Sequence, residues 1–295
     1  MSPMTVGFAG LGRMGAPMAA RIAGHGFPLA VWNRTPGRAE QLAGCGARVA
    51  GTLRDLASGS NVIITMVSDG AAALSVWAEP GGLLDACAPG TIGIDMSTTG
   101  PHAAREIAAR AALAGVRFLD APVSGSVALA EQGTLTTMVG GEPTVLARAL
   151  PVLQAITGKQ LHLGPQGAGA AMKLAVNIMI GCVNQAVAEG LALTAEAGID
   201  PRDAYDAFLV SAVSSPFLHY KRDAYLSPGE GPVSFTTALM AKDLQLALDI
   251  AEVAGIPLTL TATAKQSLDR ASAAGFGDAD FACLARLLRP ESAPG

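Results

Sequence analysis

The sequence predicts an α/β N-terminal domain built on a doubly wound, mostly parallel sheet, followed by an all-α C-terminal domain. Short apolar segments alternate with alanine-rich helical segments through the first half of the chain. A cluster of turn residues follows at 164–169, and only helical patterns recur beyond it. We therefore expect one domain over residues 1–164 and a second over residues 165–295.

Short apolar segments bounded by turn residues are typical of strands, and apolar runs without alternation indicate burial on both faces. The segments that fit are Thr5–Ala9, Leu29–Trp32, Val62–Met66, Ile92–Asp95, Arg117–Ala121, Thr134–Val139 and Gln160–Leu163. The helical segments between them include Met14–Ala23, Arg38–Ala43, Pro101–Ala114 and Pro143–Ala155. Strands separated by helices imply βαβ units, and therefore a parallel sheet covered on both faces.

The second half is predicted to be helical. A long helix over Gly169–Gly198 ends at a glycine, as many helices do. The next begins at Asp200-Pro201, where Asp supplies a cap acceptor and Pro suits the first turn. Further helices are expected at Thr236–Ala254, Leu258–Ala274 and Phe281–Leu288. The apolar stretch Ala170–Ala197 also carries several polar side chains, which favours a buried core helix over a membrane span.

The composition limits the possible classes of function. Of the 295 residues, 50% are hydrophobic and 15% are charged, which is typical of a globular protein. A formal net charge of −4 without long runs of like charge argues against a nucleic-acid or membrane-surface role. The four cysteines are far apart in the sequence, so we predict no metal site. Because a strand pattern begins at Thr5, we expect no signal peptide and a cytoplasmic location.

A glycine-rich turn follows the first predicted strand. Gly10, Gly12 and Gly15 have the GxGxxG spacing between a strand and a helix, which is the context of a dinucleotide-binding βαβ unit. The first glycine permits the tight turn, the second lets the backbone approach a pyrophosphate, and the third lets the helix pack close to the sheet. We therefore predict a Rossmann domain whose cofactor-binding turn consists of Gly10, Leu11, Gly12, Arg13, Met14 and Gly15.

The residues after the second strand predict which nicotinamide cofactor is bound. NAD sites usually carry Asp or Glu here to bind the ribose 2′-hydroxyl, whereas this chain has Asn33, Arg34 and Thr35. The planar guanidinium of Arg34 suits a 2′-phosphate, and Asn33 and Thr35 can add hydrogen bonds. We predict NADP in preference to NAD. The alternative interpretation of Arg34 is an ordinary exposed arginine.

Two further segments carry polar residues of a kind that can bind an anion or transfer a proton, although the first of them, taken alone, is also consistent with an ordinary turn. Ser124 follows the fifth predicted strand, where its hydroxyl and the loop amides can form an anion site for a carboxylate. Lys173 and Asn177 are four residues apart and so share one face of the long helix. The helix N-terminus and partial burial both favour the neutral amine of Lys173, the form that accepts a proton. A solvated lysine is the alternative interpretation.

Several sequence blocks together resemble the β-hydroxyacid dehydrogenase family, which includes 3-hydroxyisobutyrate dehydrogenases and small-aldehyde reductases. The blocks are residues 10–18, 120–125, 167–177 and 242–244. The resemblance implies a C-terminal domain like that of 6-phosphogluconate dehydrogenase, with Lys173 as general acid/base and Asn177 orienting the substrate or the lysine. It also implies that the substrate carboxylate is held by Ser124, Gly125 and Ser126, and that the cofactor is lined by Met66, Val67, Thr98 and Lys242.

The substrate stays open at this point. Ser126 stands where many family dehydrogenases carry a second glycine, which resembles the reductases of glyoxylate or succinic semialdehyde, whereas residues 239–243 resemble the hydroxyisobutyrate branch. An imine reductase on the same scaffold and a non-catalytic NADP-binding scaffold are alternatives, and the presence of Lys173 argues against both. We expect a small carboxylate-bearing substrate in an interdomain cleft, no nucleic-acid or membrane partner, and a homodimer or tetramer that covers the long helix.

Overall fold

The computed structural model describes residues 4–35, 37–229 and 231–288, and this part of the chain contains a nine-stranded sheet. The strands are β1 Val6–Ala9, β2 Leu29–Trp32, β3 Arg48–Val49, β4 Val62–Thr65, β5 Ile92–Asp95, β6 Arg117–Asp120, β7 Val123–Ser124, β8 Leu135–Gly140 and β9 Thr157–Gly164. The helices among them are α1 Gly15–Gly24, α2 Glu40–Ala43, α3 Leu53–Ser58, α4 Gly70–Ala78, α5 Pro101–Leu113, α6 Val127–Gln132 and α7 Pro143–Ile156.

The strand order is β3-β2-β1-β4-β5-β6-β8-β7, and β9 pairs with β8. All pairs from β3 to β6 are parallel, whereas β8 runs antiparallel to β6 and β7. The chain winds outward from β1 in both directions, since Val6 of β1 lies beside Leu29 of β2 and Val62 of β4. This is the doubly wound Rossmann sheet that the sequence predicts, and in such sheets ligands bind where the winding direction reverses, at the carboxyl ends of the strands.

Alternate residues of the central strands face two separate hydrophobic clusters. Phe8 and Ile64 pack in one cluster, together with apolar residues of α1 and α7. Ala9 and Ile63 pack in the other, together with Trp77 of α4 and neighbours from α3 and α5. Both faces of the sheet are therefore covered, as the unbroken apolar runs of the strands predict.

The rest of the described chain is helical. Its helices are α8 Ala168–Glu196, α9 Pro201–Val210, α10 Pro216–Leu226, α11 Thr237–Ala254, α12 Thr259–Ala271 and α13 Leu284–Leu287, with a π-helical turn at Ser272–Phe276 and a 3-10 helix at Phe281–Cys283. Another hydrophobic cluster forms the core here, around the buried rings of Tyr205, Tyr225 and Phe281. The chain divides into two compact units, Met1–Lys173 and Leu174–Gly295, so the division falls inside α8. The predicted domain boundary at residue 164 stays a prediction.

Helix α8 is less covered by its own chain than the sequence predicts. By length and composition it could cross a membrane, and 28% of its most apolar 18-residue stretch is buried. This is weak evidence for a span, because Asn184 on the same helix is fully buried and hydrogen-bonded to Phe281 and Tyr225. Side chains that bond inside a folded unit are typical of a helix that packs against protein.

Some elements differ from the sequence prediction. The elements β3, α3, α4, β7, α6 and α10 were not predicted. Both residues of β3 are exposed, so no apolar run marks that strand. Helix α4 does have a start signal, since Asp69 accepts a hydrogen bond from Ala72 N at 2.8 Å. Helix α12 ends at Ala271 rather than Ala274, because the chain enters a turn in which Gly275 has a φ of 91°.

Candidate active site

The glycine-rich turn lies between β1 and α1, as predicted. Gly10 has a φ of 98°, and a Cβ there would overlap the carbonyl oxygen of Met66. A Cβ on Gly15 would overlap the carbonyl oxygen of Gly10. Gly12 differs from both, because no atom lies within 4 Å of the point where its Cβ would stand. The turn is thus closed by two glycines and open at the third, which fits the approach of a dinucleotide pyrophosphate to the backbone.

The end of β2 is tied to this turn by Asn33. Its Oδ1 accepts a hydrogen bond from Leu11 N at 2.8 Å, and its Nδ2 donates to the carbonyl oxygen of Thr35 at 2.9 Å. The Leu11 N–H is therefore already paired, and the Leu11 side chain is buried in the core. Arg34 and Thr35 are exposed beside this link. The structure thus gives Asn33 a positioning role that the sequence analysis did not predict.

A buried hydrogen-bond network joins the ends of β4 and β5, where Met66, Val67 and Thr98 lie. Asp95 Oδ1 accepts hydrogen bonds from Thr65 Oγ1 and Ser97 Oγ, both at 2.7 Å. Ser97 Oγ in turn accepts the Val67 N–H at 2.8 Å. Burial raises the pKa of Asp95, although the bonds from Thr65 and Ser97 oppose the shift. This network fixes two of the segments that the sequence analysis assigned to the cofactor groove.

The predicted carboxylate-binding residues follow β6. Ser124 belongs to the short strand β7 and lies beside Thr136 of β8. Gly125 has a φ of 142°, and Ser126 caps helix α6, because its hydroxyl accepts the Leu129 N–H at 3.4 Å. The serine that replaces a second glycine therefore has a local structural role at the start of a helix.

Asp120, the last residue of β6, binds the start of α8. Its Oδ1 accepts the Gly167 N–H at 2.7 Å, and its Oδ2 accepts the Ala170 N–H at 2.8 Å. The side chain is buried, and burial raises its pKa while these two hydrogen bonds lower it. Lys173 lies three residues beyond Ala170 on α8 and is half-buried. Lys173 is therefore carried by a helix whose first turn is fixed at the carboxyl end of β6.

A second group of polar residues lies in the helical unit. Asn177 Nδ2 donates to Asp243 Oδ2 at 2.5 Å, and both side chains are buried. Lys242 Nζ lies 2.8 Å from Asp243 Oδ1. Two blocks that are far apart in the sequence, 167–177 and 242–244, thus meet in a direct contact between side chains of α8 and α11.

The predicted site residues form two groups, one in each compact unit. One group follows the carboxyl ends of neighbouring strands of the sheet: the glycine-rich turn, Met66, Val67, Thr98 and Ser124–Ser126. Lys173 belongs to the same unit and lies near the start of α8, the helix that is bound to the end of β6. Asn177 and Lys242 belong to the helical unit. Within the described residues, no group of three or more His, Cys, Asp or Glu side chains is arranged to hold a metal ion.

The sequence analysis assigned no role to Asp95, Asp120 or Asp243. Each had a visible signal, since Asp95 and Asp120 end apolar strands and Asp243 stands beside Lys242. A carboxylate at the end of a buried apolar strand is itself often buried, and a buried carboxylate needs hydrogen-bond donors or a cation beside it. The signal shows that partners exist, and only the folded structure shows which they are.

Comparison with known proteins identifies the family. A family model for the NAD binding domain of 6-phosphogluconate dehydrogenase matches residues 5–164, and one for the NAD-binding region of NADP-dependent 3-hydroxyisobutyrate dehydrogenase matches residues 167–288. The chain is 33% identical to 2-(hydroxymethyl)glutarate dehydrogenase of Eubacterium barkeri, over 96% of this chain and 94% of that protein. It is 32% identical to glyoxylate/succinic semialdehyde reductase 1 of Arabidopsis thaliana, over 97% of this chain and 99% of that protein.

A solved structure gives the same result. That of 3-hydroxyisobutyrate dehydrogenase from Mycobacterium tuberculosis with L-serine is 34% identical in sequence and has a TM-score of 0.88, covering 98% of this chain and all of that one. The likeness therefore extends over both compact units and includes the segments that carry the glycine-rich turn, Lys173 and Lys242. On these grounds the chain belongs to the β-hydroxyacid dehydrogenase family and is an NAD(P)-dependent oxidoreductase of hydroxyacids or semialdehydes.

Proposed function

We propose that this enzyme moves a hydride between NADP and a small β-hydroxyacid or its semialdehyde, with Lys173 as the general acid/base. The observation that carries the proposal is the attachment of the first turn of α8 to Asp120 at the carboxyl end of β6. The glycine-rich turn follows β1 at the same carboxyl edge of the sheet. An amine at this edge can exchange a proton with a substrate oxygen while the carbon beside it exchanges a hydride. The names of the relatives support a small acid or aldehyde as substrate.

The proposed chemistry divides between the cofactor and the chain. When bound, the nicotinamide supplies the hydride donor or acceptor. In oxidation Lys173 accepts the hydroxyl proton, and in reduction its protonated amine donates that proton to the carbonyl oxygen. Ser124, Gly125 and Ser126 hold the substrate carboxylate, and Asn177 fixes its own turn of α8 to α11 through Asp243. Such positioning lowers the barrier by holding the reacting groups in line.

The proposed cofactor groove consists of the glycine-rich turn, the segments after β4 and β5, and Arg34. The open backbone at Gly12 supports pyrophosphate binding there. The proposed contact of Lys242 with the cofactor stays a prediction, as does the cytoplasmic location. We also infer a homodimer, or a tetramer built from it, since α8 presents apolar side chains that its own chain leaves uncovered.

A Lys173→Ala variant tests the proposed role of the lysine. With NADPH and succinic semialdehyde, or the best substrate from a panel of small semialdehydes and hydroxyacids, we expect kcat to fall about 10²–10⁴-fold. The loss of NADPH absorbance measures the rate, and Lys159→Ala on the exposed part of β9 is the matched control. Parent-like reduction by Lys173→Ala would remove the lysine from the mechanism.

The preference for NADP rests on Arg34. We expect Arg34→Asp to lower kcat/KM for NADPH by about 10–100-fold, because one charge-assisted contact to the 2′-phosphate is lost. Activity with NADH should change little or rise. Arg54→Asp, on an exposed residue of α3, makes the same change of charge elsewhere in the unit. Equal use of NADH and NADPH by the parent enzyme would refute the preference.

A further inference from the structure

The start of α8 is capped by a residue from a distant part of the chain. The first N–H groups of a helix have no partner within the helix, and a side chain of the same turn usually accepts them. Here the acceptor is Asp120, which is 47 residues before Gly167 and 50 residues before Ala170 in the sequence. Each of its two carboxylate oxygens accepts one N–H, so the carboxylate fixes both the position and the rotation of the turn.

The backbone around this contact leaves no room for a side chain at two glycines. A Cβ on Gly169 would overlap the carbonyl oxygen of Met138 and lie 2.7 Å from that of Asp120. A Cβ on Gly140 would lie 2.5 Å from Asp120 Oδ1. The first turn of α8 therefore packs backbone against backbone on the ends of β6 and β8. Glycine is needed at both positions for this close approach.

Lys173 is three residues beyond Ala170, which is less than one helical turn. A helix is stiff over such a distance, so a shift or rotation of the first turn moves the Cα of Lys173 by a similar amount. In enzymes a misplacement of about 1 Å can reduce the rate by about 10²-fold. By fixing the first turn of α8, Asp120 therefore also fixes the backbone position of Lys173.

We propose that Asp120 is a positioning residue, which sets the place of the Lys173 amine by binding the first turn of α8. This inference rests on the proposed function of Lys173 as general acid/base. It explains why a buried carboxylate stands directly before the segment that holds the substrate carboxylate, where a negative charge would otherwise repel the substrate. The two N–H groups that Asp120 binds are at the positive end of the helix dipole, which offsets its negative charge.

An Asp120→Asn variant tests the proposal, since its amide nitrogen cannot accept the N–H that one carboxylate oxygen accepts in the parent. We expect kcat to fall about 10–100-fold. The Kd for NADPH should change less than about twofold, because the glycine-rich turn follows a different strand. The rate is divided by the concentration of NADPH-binding sites, so that unfolded protein is not counted. An unchanged kcat would overturn the proposal.

A second variant reaches the same contact without changing the carboxylate. Gly169→Ala should lower kcat in the same way, because its Cβ pushes the first turn of α8 away from Met138. The matched control is Gly190→Ala in the same helix, where the nearest atoms to the new Cβ would be those of the Phe208 ring, at 3.1 Å. Its kcat should equal that of the parent. Parent-like kcat for Gly169→Ala would also count against the positioning role of Asp120.

A double-mutant cycle separates positioning from a general loss of structure. If Asp120 acts through Lys173, Asp120→Asn should lower the residual rate of Lys173→Ala by less than about twofold, whereas it lowers the parent rate at least tenfold. The same loss in both backgrounds would refute the positioning role and leave the lysine's role intact. A parent-like rate for Lys173→Ala alone would instead refute the proposed function.

Discussion

At the scale of single residues, the three glycines of the glycine-rich turn are required for different reasons. Gly10 and Gly15 are required by the fold, because a side chain at either position would overlap a backbone oxygen. Gly12 meets nothing, so the folded chain alone gives no reason for its missing side chain. A position that is open in the structure yet occupied by glycine indicates that the space serves a ligand.

We therefore expect Gly12→Ala to fold normally and to bind the cofactor poorly. The new methyl group would occupy the space that the pyrophosphate is expected to approach, so the Kd for NADPH should rise about tenfold or more, which corresponds to about 1.4 kcal/mol. Fluorescence titration measures the Kd, and thermal unfolding checks the fold. Gly24→Ala, also in open space at the end of α1, is the control. Equal affinity for the two variants would contradict this account of Gly12.

At the scale of elements, the sequence predicts what depends on local pattern. The strands at Val62 and Ile92 were predicted because their apolar runs reflect burial on both faces of the sheet. Strand β3 was missed because its two residues are exposed and have no such pattern. The hydrogen bonds from the Gly167 N–H to Asp120 and from Asn177 to Asp243 join residues 47 and 66 positions apart, and no spacing rule predicts such pairs.

Helix α8 has an uncovered apolar face that predicts self-association. Met172, Met179, Val183 and Leu193 are exposed, and their spacing places them on one side of the helix. An apolar stripe of this length on a globular protein is typical of an interface. Because the stripe runs along the central helix, a second copy of the same chain can cover it with the same helix about a twofold axis.

In light scattering we expect the parent to have the mass of two chains, or of four chains if dimers associate into a tetramer. Met179→Glu should shift the protein toward monomer, because Met179 is 70% exposed in the single chain and the new charge would be buried in the dimer. Leu113→Glu, at a residue that is 91% exposed on α5, should leave the mass unchanged. A stable parent monomer would refute the interface on α8.

At the scale of the whole molecule, each compact unit has its own core and its own buried polar anchor. In the sheet unit the anchors are Asp95 and Asp120. In the helical unit Lys221 is buried, and its Nζ lies 2.6 Å from both Asp280 Oδ1 and Ser234 Oγ and 4.2 Å from the ring centroid of Phe281. This group joins α10 to the segments on either side of α11 and α12. It is therefore a buried electrostatic tie between described elements of that unit that are far apart in the sequence.

Loss of this ion pair should destabilise the helical unit in a manner that depends on pH. Burial alone would raise the pKa of Asp280, but the charge and hydrogen bonds of Lys221 hold it below its ordinary value of 3.8. The stabilisation is therefore complete above about pH 4 and is lost as the pH falls further, when the folded protein must also bind a proton there. Asp280→Asn leaves Lys221 buried without its carboxylate, so we expect a loss of about 3–5 kcal/mol at pH 7.

Urea unfolding of the parent and Asp280→Asn between pH 7 and pH 2 measures this difference. It should shrink steadily below about pH 4, because acid removes from the parent the same charge that the substitution removes. Asp206→Asn is the matched control, since it breaks the exposed ion pair with Arg222 in the same unit. It should cost less than about 1 kcal/mol at every pH. If Asp280→Asn instead differed from the parent by a constant amount down to pH 2, its loss would come from packing, and the buried charge pair would not be what holds α10 to its neighbours.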